Sequence, residues 1–235
     1  MSLALYPTGQ LRFWTEQEIS LRDGLIHRLF HVVKAPLQTL NKAWRFERVE
    51  GPLLTPADYI SPAYTEDDLW VTKGLIAAQG VAMRAETTAS SYIYAKHLMS
   101  QEGGSNKLPL CVWQSGKSFR KEESDGASAS RLRFFEFYQL EFQCIYSKTT
   151  GADYVAPVTS RVMKELELIT GHKARLVRSD RLPSYSEATF DVEVDFNGHW
   201  REMCSISQRT DFEGAKVLEV AIGLDRLVAV IGGGV

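Results

Sequence analysis

The stretch from Phe119 to Tyr146, FRKEESDGASASRLRFFEFYQLEFQCIY, constrains this chain more than any other. From Phe137 onward the residues alternate: Tyr138, Leu140, Phe142, Cys144 and Tyr146 fall on one face, while Gln139, Glu141 and Gln143 fall on the other. The small polar run from Glu123 to Ser130 has no apolar period and reads as a mobile loop. The whole stretch is therefore predicted to be two antiparallel strands with that loop between them. One face of the pair belongs to a core; the polar face is either a solvated sheet surface or the floor of a site.

The rest of the chain supplies enough apolar material to bury one such sheet. At 235 residues and 44% hydrophobic content a single domain is expected, residues 15–235, behind an amino-terminal arm, residues 1–14. The fold class is α/β (α+β), an antiparallel sheet flanked by helices. No apolar run reaches the length of a membrane span and no signal-type segment opens the chain, so a soluble, cytoplasmic protein is expected. Cys111, Cys144 and Cys204 show no CxxC spacing and read as reduced structural thiols, with no zinc site. The net charge of −2 provides no broad basic field for nucleic acid, which counts against extensive contact with RNA.

Helices and turns are marked locally. Thr15-Glu16-Gln17-Glu18 fits a capping box opening a helix whose stripe is Leu21, Leu25, Leu29 and Val32, running to about Trp44 with an interruption at Pro36. A second helix follows Met83–Ala89 and ends near Met99, and a third starts at Pro157 and closes at Gly171. The strand Ala188–Phe196 alternates strictly and enters the Asn197-Gly198 hairpin signal. That turn sets Glu193 directly opposite Glu202. Like charges placed opposite destabilise a sheet, so a cation between them is expected, with Mg²⁺ the simplest choice; the alternative is that one carboxylate faces solvent or pairs with Arg201 or Arg209. Gly116-Lys117-Ser118 imitates the tail of a phosphate-binding loop, but Cys111 stands where the upstream Gly is required, so no P-loop is assigned.

The residues around the long loop carry the chemistry. Paired strands bring Arg120, Glu122, Arg133 and Phe137 to the polar face: two guanidiniums suited to phosphate oxygens, a carboxylate that accepts from an exocyclic amine, and a ring that stacks on a base. This combination predicts an ATP site built on a sheet. Phe119-Arg120-Lys121-Glu122, a loop, then Arg133 to Phe137 resembles the second signature motif of the class II aminoacyl-tRNA synthetases. Phe46 to Leu54 resembles the first motif, which forms the dimer interface in that family. Glu219-Val220-Ala221-Ile222-Gly223-Leu224-Asp225-Arg226 resembles the third. The resemblance implies that Arg120 holds the α-phosphate and the amino-acid carboxylate, that Arg133 and Arg226 hold the γ-phosphate, and that Phe137 stacks on adenine.

The similarity extends to the pocket of the glycyl group of subclass IIa. There the place of Arg84-Ala85-Glu86-Thr87-Thr88 reads R-P-E-T-A, and its Glu receives the substrate's ammonium; the positions matching the acidic pocket are Glu86, Glu141 and Glu219. Ala221 and Val220 replace the family's Ser and Pro, which leaves more apolar room. Trp200 to Ser207 resembles the segment before the third motif in seryl- and glycyl-type enzymes, which implies Glu202 and Ser205 as metal ligands, with Glu193 beside them. The resemblance implies ATP and Mg²⁺, an amino acid, and a homodimer through residues 46–54. Three readings remain open: a minimal tRNA ligase acting on the acceptor end, an amino-acid ligase with a carrier-protein or small-molecule acceptor, and a non-catalytic interaction module built on a synthetase core.

Overall fold

The computed structural model describes residues 13–56, 71–72, 81–101, 107–121, 132–179 and 185–232. Its first element, α1 (Glu16–Leu40), begins with the predicted capping box: Thr15 N donates to Glu18 Oε2 at 2.8 Å, and Glu18 N donates to Thr15 Oγ1 at 3.3 Å. The helix runs unbroken through Pro36 and stops at Leu40, short of the expected end near Trp44. Pro36 lies close enough to the end for the helix to absorb it, and Asn41 in extended conformation terminates the run.

The strands are β1 (Arg45–Arg48), β2 (Leu54–Pro56), β3 (Val71–Thr72), β4 (Val81–Met83), β5 (Leu110–Phe119), β6 (Glu136–Ser147), β7 (Ala174–Arg178), β8 (Ser186–Phe196), β9 (His199–Arg209) and β10 (Ala215–Gly223). Between them lie α2 (Thr88–Ser100), α3 (Val155–Thr170) and, after β10, α4 (Leu224–Ile231). A seven-stranded sheet has the order β1-β5-β6-β10-β9-β8-β7, antiparallel throughout except for the β1–β5 pair. A small sheet, β2-β4-β3, stands beside it.

The β5–β6 hairpin forms as the alternation predicts, with Phe119 opposite Glu136 and Cys111 opposite Cys144. Its apolar face packs into the main core with α1, α3 and α4, where Leu29, Leu37, Phe142, Val162, Ile206 and Leu227 are fully excluded from water. The three cysteines are free and buried, and Cys111 Sγ and Cys144 Sγ touch at 3.5 Å as thiols. α3 ends at Gly171, whose φ of +70° is the left-handed cap predicted for it. Among the described residues, no helix is long and apolar enough to cross a membrane.

The polar face is not a solvated surface. Gln139, Glu141 and Gln143 are almost wholly buried, because α2 lies across β5 and β6. At one end this second face is apolar, with Leu110, Val112, Ile145 and Val217 against Ala95 and Phe212. At the other it opens on polar side chains, and the chemistry lies there.

Asn197 and Gly198 both have positive φ, 53° and 75°, so the β8–β9 turn is the predicted type, and Glu193 does pair with Glu202. Beyond that pair the register slips by one residue at Met203, a β-bulge, so that Val192 meets Cys204 and Asp191 meets Ser205. The bulge has a consequence for the site. Residues three apart on a regular strand point to opposite faces, yet the extra residue places Glu202 and Ser205 on the same face.

Candidate active site

Three carboxylates converge where β6, β10 and the entry to α2 meet. Glu141 is on β6, Glu219 on β10, and Glu86 lies in the short connection between β4 and α2. Glu141 sits opposite Ala221, which in turn sits opposite Ser205, so the predicted small residue lies between the carboxylate pocket and the next strand. Glu141 Oε2 accepts from Thr87 N at 3.1 Å, from Thr87 Oγ1 in a short bond, and from Thr88 Oγ1 at 3.3 Å. Glu219 Oε2 accepts from Thr88 Oγ1 at 3.1 Å, Gln143 Nε2 at 2.9 Å and Arg209 Nη1 at 2.7 Å. Burial, then the neighbouring charges of Glu219 and Glu86, push the Glu141 carboxyl up to about 8.

Arg209 brings a cation into the pocket. It is 2% exposed and holds Glu219 with one arm and Asp211 Oδ2, at 2.6 Å, with the other. Its plane lies 4.1 Å from the Tyr185 ring centre, and Tyr92 OH donates to Asp211 at 3.0 Å. Burial pulls the Arg209 pKa down, but Glu219 and Asp211 outweigh it and the net shift is upward. Arg209 stays charged. The signal for it was present in the sequence: Ser205, Ser207 and Arg209 continue one period-2 face of β9.

A second buried guanidinium braces the pocket from behind. Arg84, 2% exposed, donates to Lys117 O at 2.7 Å, Gly51 O at 2.9 Å and Gln114 Oε1 at 3.3 Å. Gln114 in turn donates to Thr87 O at 2.9 Å and Ser91 Oγ at 2.7 Å, which fixes the first turn of α2. Glycine is required at two contacts: a Cβ on Gly116 would fall 2.1 Å from Arg84 Nη2, and one on Gly51 would fall 2.2 Å from Ser90 Oγ. Burial lowers the Arg84 pKa despite Glu141 and Glu50 nearby.

Beside the pocket, the Arg120 guanidinium lies 5.1 Å from the centre of the Phe137 ring, which is half-buried on the polar face. Arg120 Nε reaches Ala85 O at 3.4 Å, tying the second motif to the Glu86 segment. Arg226, in the first turn of α4, donates from Nε to Leu132 O at 3.0 Å and from Nη1 to Glu202 O at 2.8 Å. Leu132 has a positive φ of 54° and immediately precedes the exposed Arg133, so one backbone turn brings the second and third motifs together. Glu122 lies outside the described residues.

The Glu193–Glu202 pair differs from expectation in its partners. Glu193 is bridged to Arg175 at 2.7 Å and Glu202 to Arg226 at 3.3 Å, so each carboxylate has its own arginine, and neither Arg201 nor Arg209 supplies it. The repulsion is relieved within the protein and does not require an ion. Asp191, whose pKa is raised first by burial, stands on the same face and is hydrogen-bonded by Ser179 and Ser205. Among the described residues no three acidic, His or Cys groups form a cage for a metal. The donors present are oxygens on one open face, which suits Mg²⁺ shared with a phosphate rather than an all-protein site.

Comparison with known proteins bears on the fold. No family model matches the chain. It is 34% identical over 137 residues to a glycine–tRNA ligase from Staphylococcus saprophyticus, covering 57% of this chain and 29% of that protein. It is 33% identical over 135 residues to the Macrococcus caseolyticus glycine–tRNA ligase, again covering 57% and 29%. The chain thus spans less than a third of the length of these relatives. Among solved structures, a prolyl-tRNA synthetase from Giardia lamblia in complex with prolyl-adenylate superposes with a TM-score of 0.72 at 15% identity, over 96% of this chain and 48% of that one. The cytoplasmic serine-tRNA ligase of Naegleria fowleri in complex with AMP gives 0.71 at 15% identity, over 95% and 50%. In fold the chain is a class II aminoacyl-tRNA synthetase catalytic core, with partial and distant sequence homology to the glycine–tRNA ligases.

Proposed function

We propose that the protein reacts a small amino acid with ATP to form an aminoacyl-adenylate, releasing pyrophosphate, and then passes the aminoacyl group to an acceptor such as the 3′ end of a tRNA. The observation that carries this reading is the adjacency, on one sheet face, of a guanidinium–aromatic pair and a buried carboxylate pocket. Arg120 over Phe137 gives a place for a phosphate next to a place for a base, and the Arg120–Ala85 bond sets both beside Glu86. Arg226 and Arg133, drawn together at Leu132, supply the positive charge for the terminal phosphates.

The pocket's charge balance favours a substrate with a single ammonium group. Glu219 is offset by Arg209, and burial beside Glu219 and Glu86 raises the Glu141 carboxyl to about 8, so the pocket holds less negative charge than three free carboxylates. An α-ammonium fits that balance and a second side-chain ammonium does not. The substrate carboxylate, ionised at neutral pH, is the nucleophile. It forms a bond to the α-phosphorus as the bond from that phosphorus to the β-phosphate bridging oxygen breaks, and the electron pair leaves with pyrophosphate. Arg120 offsets the charge that builds on the α-phosphate oxygens, and positioning does the rest. Glu202 and Ser205, held on one face by the bulge at Met203, with Glu193 beside them, would hold Mg²⁺ against the phosphates. The ion would supply further charge neutralisation there.

The edge position of β1 supports pairing of two copies through residues 46–54. The test of the reaction is amino-acid-dependent exchange of pyrophosphate into ATP across all amino acids, with Arg120→Ala as control. Exchange with one or a few small amino acids, lost in the variant, is expected. No exchange with any of them would refute the adenylate reading. Transfer to tRNA is then scored with the same amino acid, and exchange without charging would move the acceptor to a carrier protein or small molecule.

A further inference from the structure

The Thr88 hydroxyl occupies an unusual place. It is 2% exposed and lies within hydrogen-bonding distance of Oε2 atoms from two pocket carboxylates, Glu141 at 3.3 Å and Glu219 at 3.1 Å, while accepting from Gln143 Nε2 at 3.1 Å. A hydroxyl has one proton and can donate to only one of them at a time. The two carboxylates sit on adjacent strands, and this hydroxyl is the side-chain atom that touches both. Six donor contacts converge on the two Oε2 atoms, from Thr87, Thr88, Gln143 and Arg209. The inner side of the pocket is thereby taken up by the protein itself. That leaves Glu86 and the remaining oxygen of Glu219 for a substrate ammonium.

We propose that Thr88 is a specificity-determining residue of this pocket: its hydroxyl donates to Glu141 while accepting from Gln143 Nε2, which also donates to Glu219, and this chain links the two carboxylates, sets their spacing and restricts the site to an amino acid with a very small side chain. The inference rests on the adenylate-forming reading above. With the ammonium held at Glu86 and Glu219, the substrate Cα lies one bond further out, and any group on it meets carboxylates whose spacing is set by the Thr88–Gln143 network. Gln143 alone does not replace the tie, since its Nε2 reaches Glu219 and the Thr88 oxygen, with no bond to Glu141.

The experiment measures pyrophosphate exchange with glycine and with alanine in the full chain for wild type, Thr88→Val and Thr88→Ser. Valine keeps the shape and removes the hydroxyl; serine keeps the hydroxyl. Thr88→Val is expected to lower kcat/KM for the preferred amino acid about tenfold or more, with the KM for ATP unchanged, and to narrow the glycine-to-alanine ratio. Thr88→Ser is expected to keep the wild-type ratio. Thr88→Ala makes the same comparison if the valine variant does not fold. An active hydroxyl-free variant with the wild-type ratio overturns the proposal while leaving adenylate formation intact, as does a serine variant that behaves like valine. A wild-type protein without exchange for any amino acid overturns both.

Discussion

A single methyl group at position 116 tests whether the buried Arg84 is the brace of the pocket. In Gly116→Ala the new Cβ falls 2.1 Å from Arg84 Nη2, against an ordinary contact that begins at 3.4 Å. One of the two must move by about 1.3 Å, the difference between those distances. Gly116 is paired with Gln139 in the middle of a ten-residue strand, so the backbone is the stiffer partner. Arg84 must yield, and a shift of that size breaks its bonds to Lys117 O and Gly51 O. Bonds from a charged donor contribute about 1.5–3 kcal/mol each, so losing one or two of them and retaining some overlap predicts a destabilisation of about 3–5 kcal/mol. The assay is urea denaturation followed by tryptophan fluorescence. Gly24→Ala in α1, whose Cβ would meet nothing within 4 Å, is the control and should stabilise by about 0.5–1 kcal/mol. In an Arg84→Ala background the added methyl should cost less than it does alone, because the clashing atom is gone. A Gly116→Ala protein within about 0.5 kcal/mol of wild type would refute the reasoning.

Other outcomes follow from the same geometry. Arg209→Met strands Glu219 without its cation and is expected to lower stability by about 3–5 kcal/mol, whereas Arg209→Met combined with Glu219→Gln should recover part of that loss in the same denaturation assay. The folded chain raises the Glu141 carboxyl to about 8, from the ordinary 4.5 it has when unfolded, so its contribution is fully present at low pH and fades as pH rises through that interval. Glu141→Gln should flatten the fall in stability between those two pH values, and an unchanged profile would place the titration elsewhere. Phe137→Leu should raise the KM for ATP several-fold with little change in the KM for the amino acid, and equal effects on both would remove the ring from base stacking.

The sequence displays the elements with strict periods and hides the contacts that close between them. The β5–β6 hairpin, the capping box at Thr15, the left-handed cap at Gly171 and the Glu193–Glu202 register are each set by neighbouring residues, and each forms as read. The burial of Gln139, Glu141 and Gln143 depends on α2, whose apolar period is weak because it rests on a polar floor; alternation alone marked that face polar without showing that it is covered. Arg175 and Arg226 as the partners of Glu193 and Glu202 come from a neighbouring strand and a helix distant in sequence, so no local spacing reveals them. The bulge at Met203 was equally hidden. It leaves no mark in composition, yet it alone explains how Glu202 and Ser205, three residues apart, come to face the same way.

The arrangement of charge on the polar face also has an internal logic. Burying carboxylates is costly unless each is protonated, paired or hydrogen-bonded, and the three in the pocket fall under different answers. Glu219 takes a buried arginine, and Glu141 takes a proton and the donors at the start of α2. Glu86, half-buried, stands beside them. A pocket of three ionised carboxylates would repel itself strongly, while one with all three neutralised would have nothing to offer a cation. A pocket between these limits is stable when empty and still attractive to a single ammonium. Glu202 and Arg226 show a similar balance further along the sheet, each paired with the other, and in the proposed reaction a phosphate and its metal ion would compete for both. On that account Glu202→Gln should free Arg226 from an ion pair while removing the proposed metal ligand, so the apparent affinity for ATP should change far less without added Mg²⁺ than with it. Equal loss under both conditions would mean that the carboxylate serves Arg226 alone.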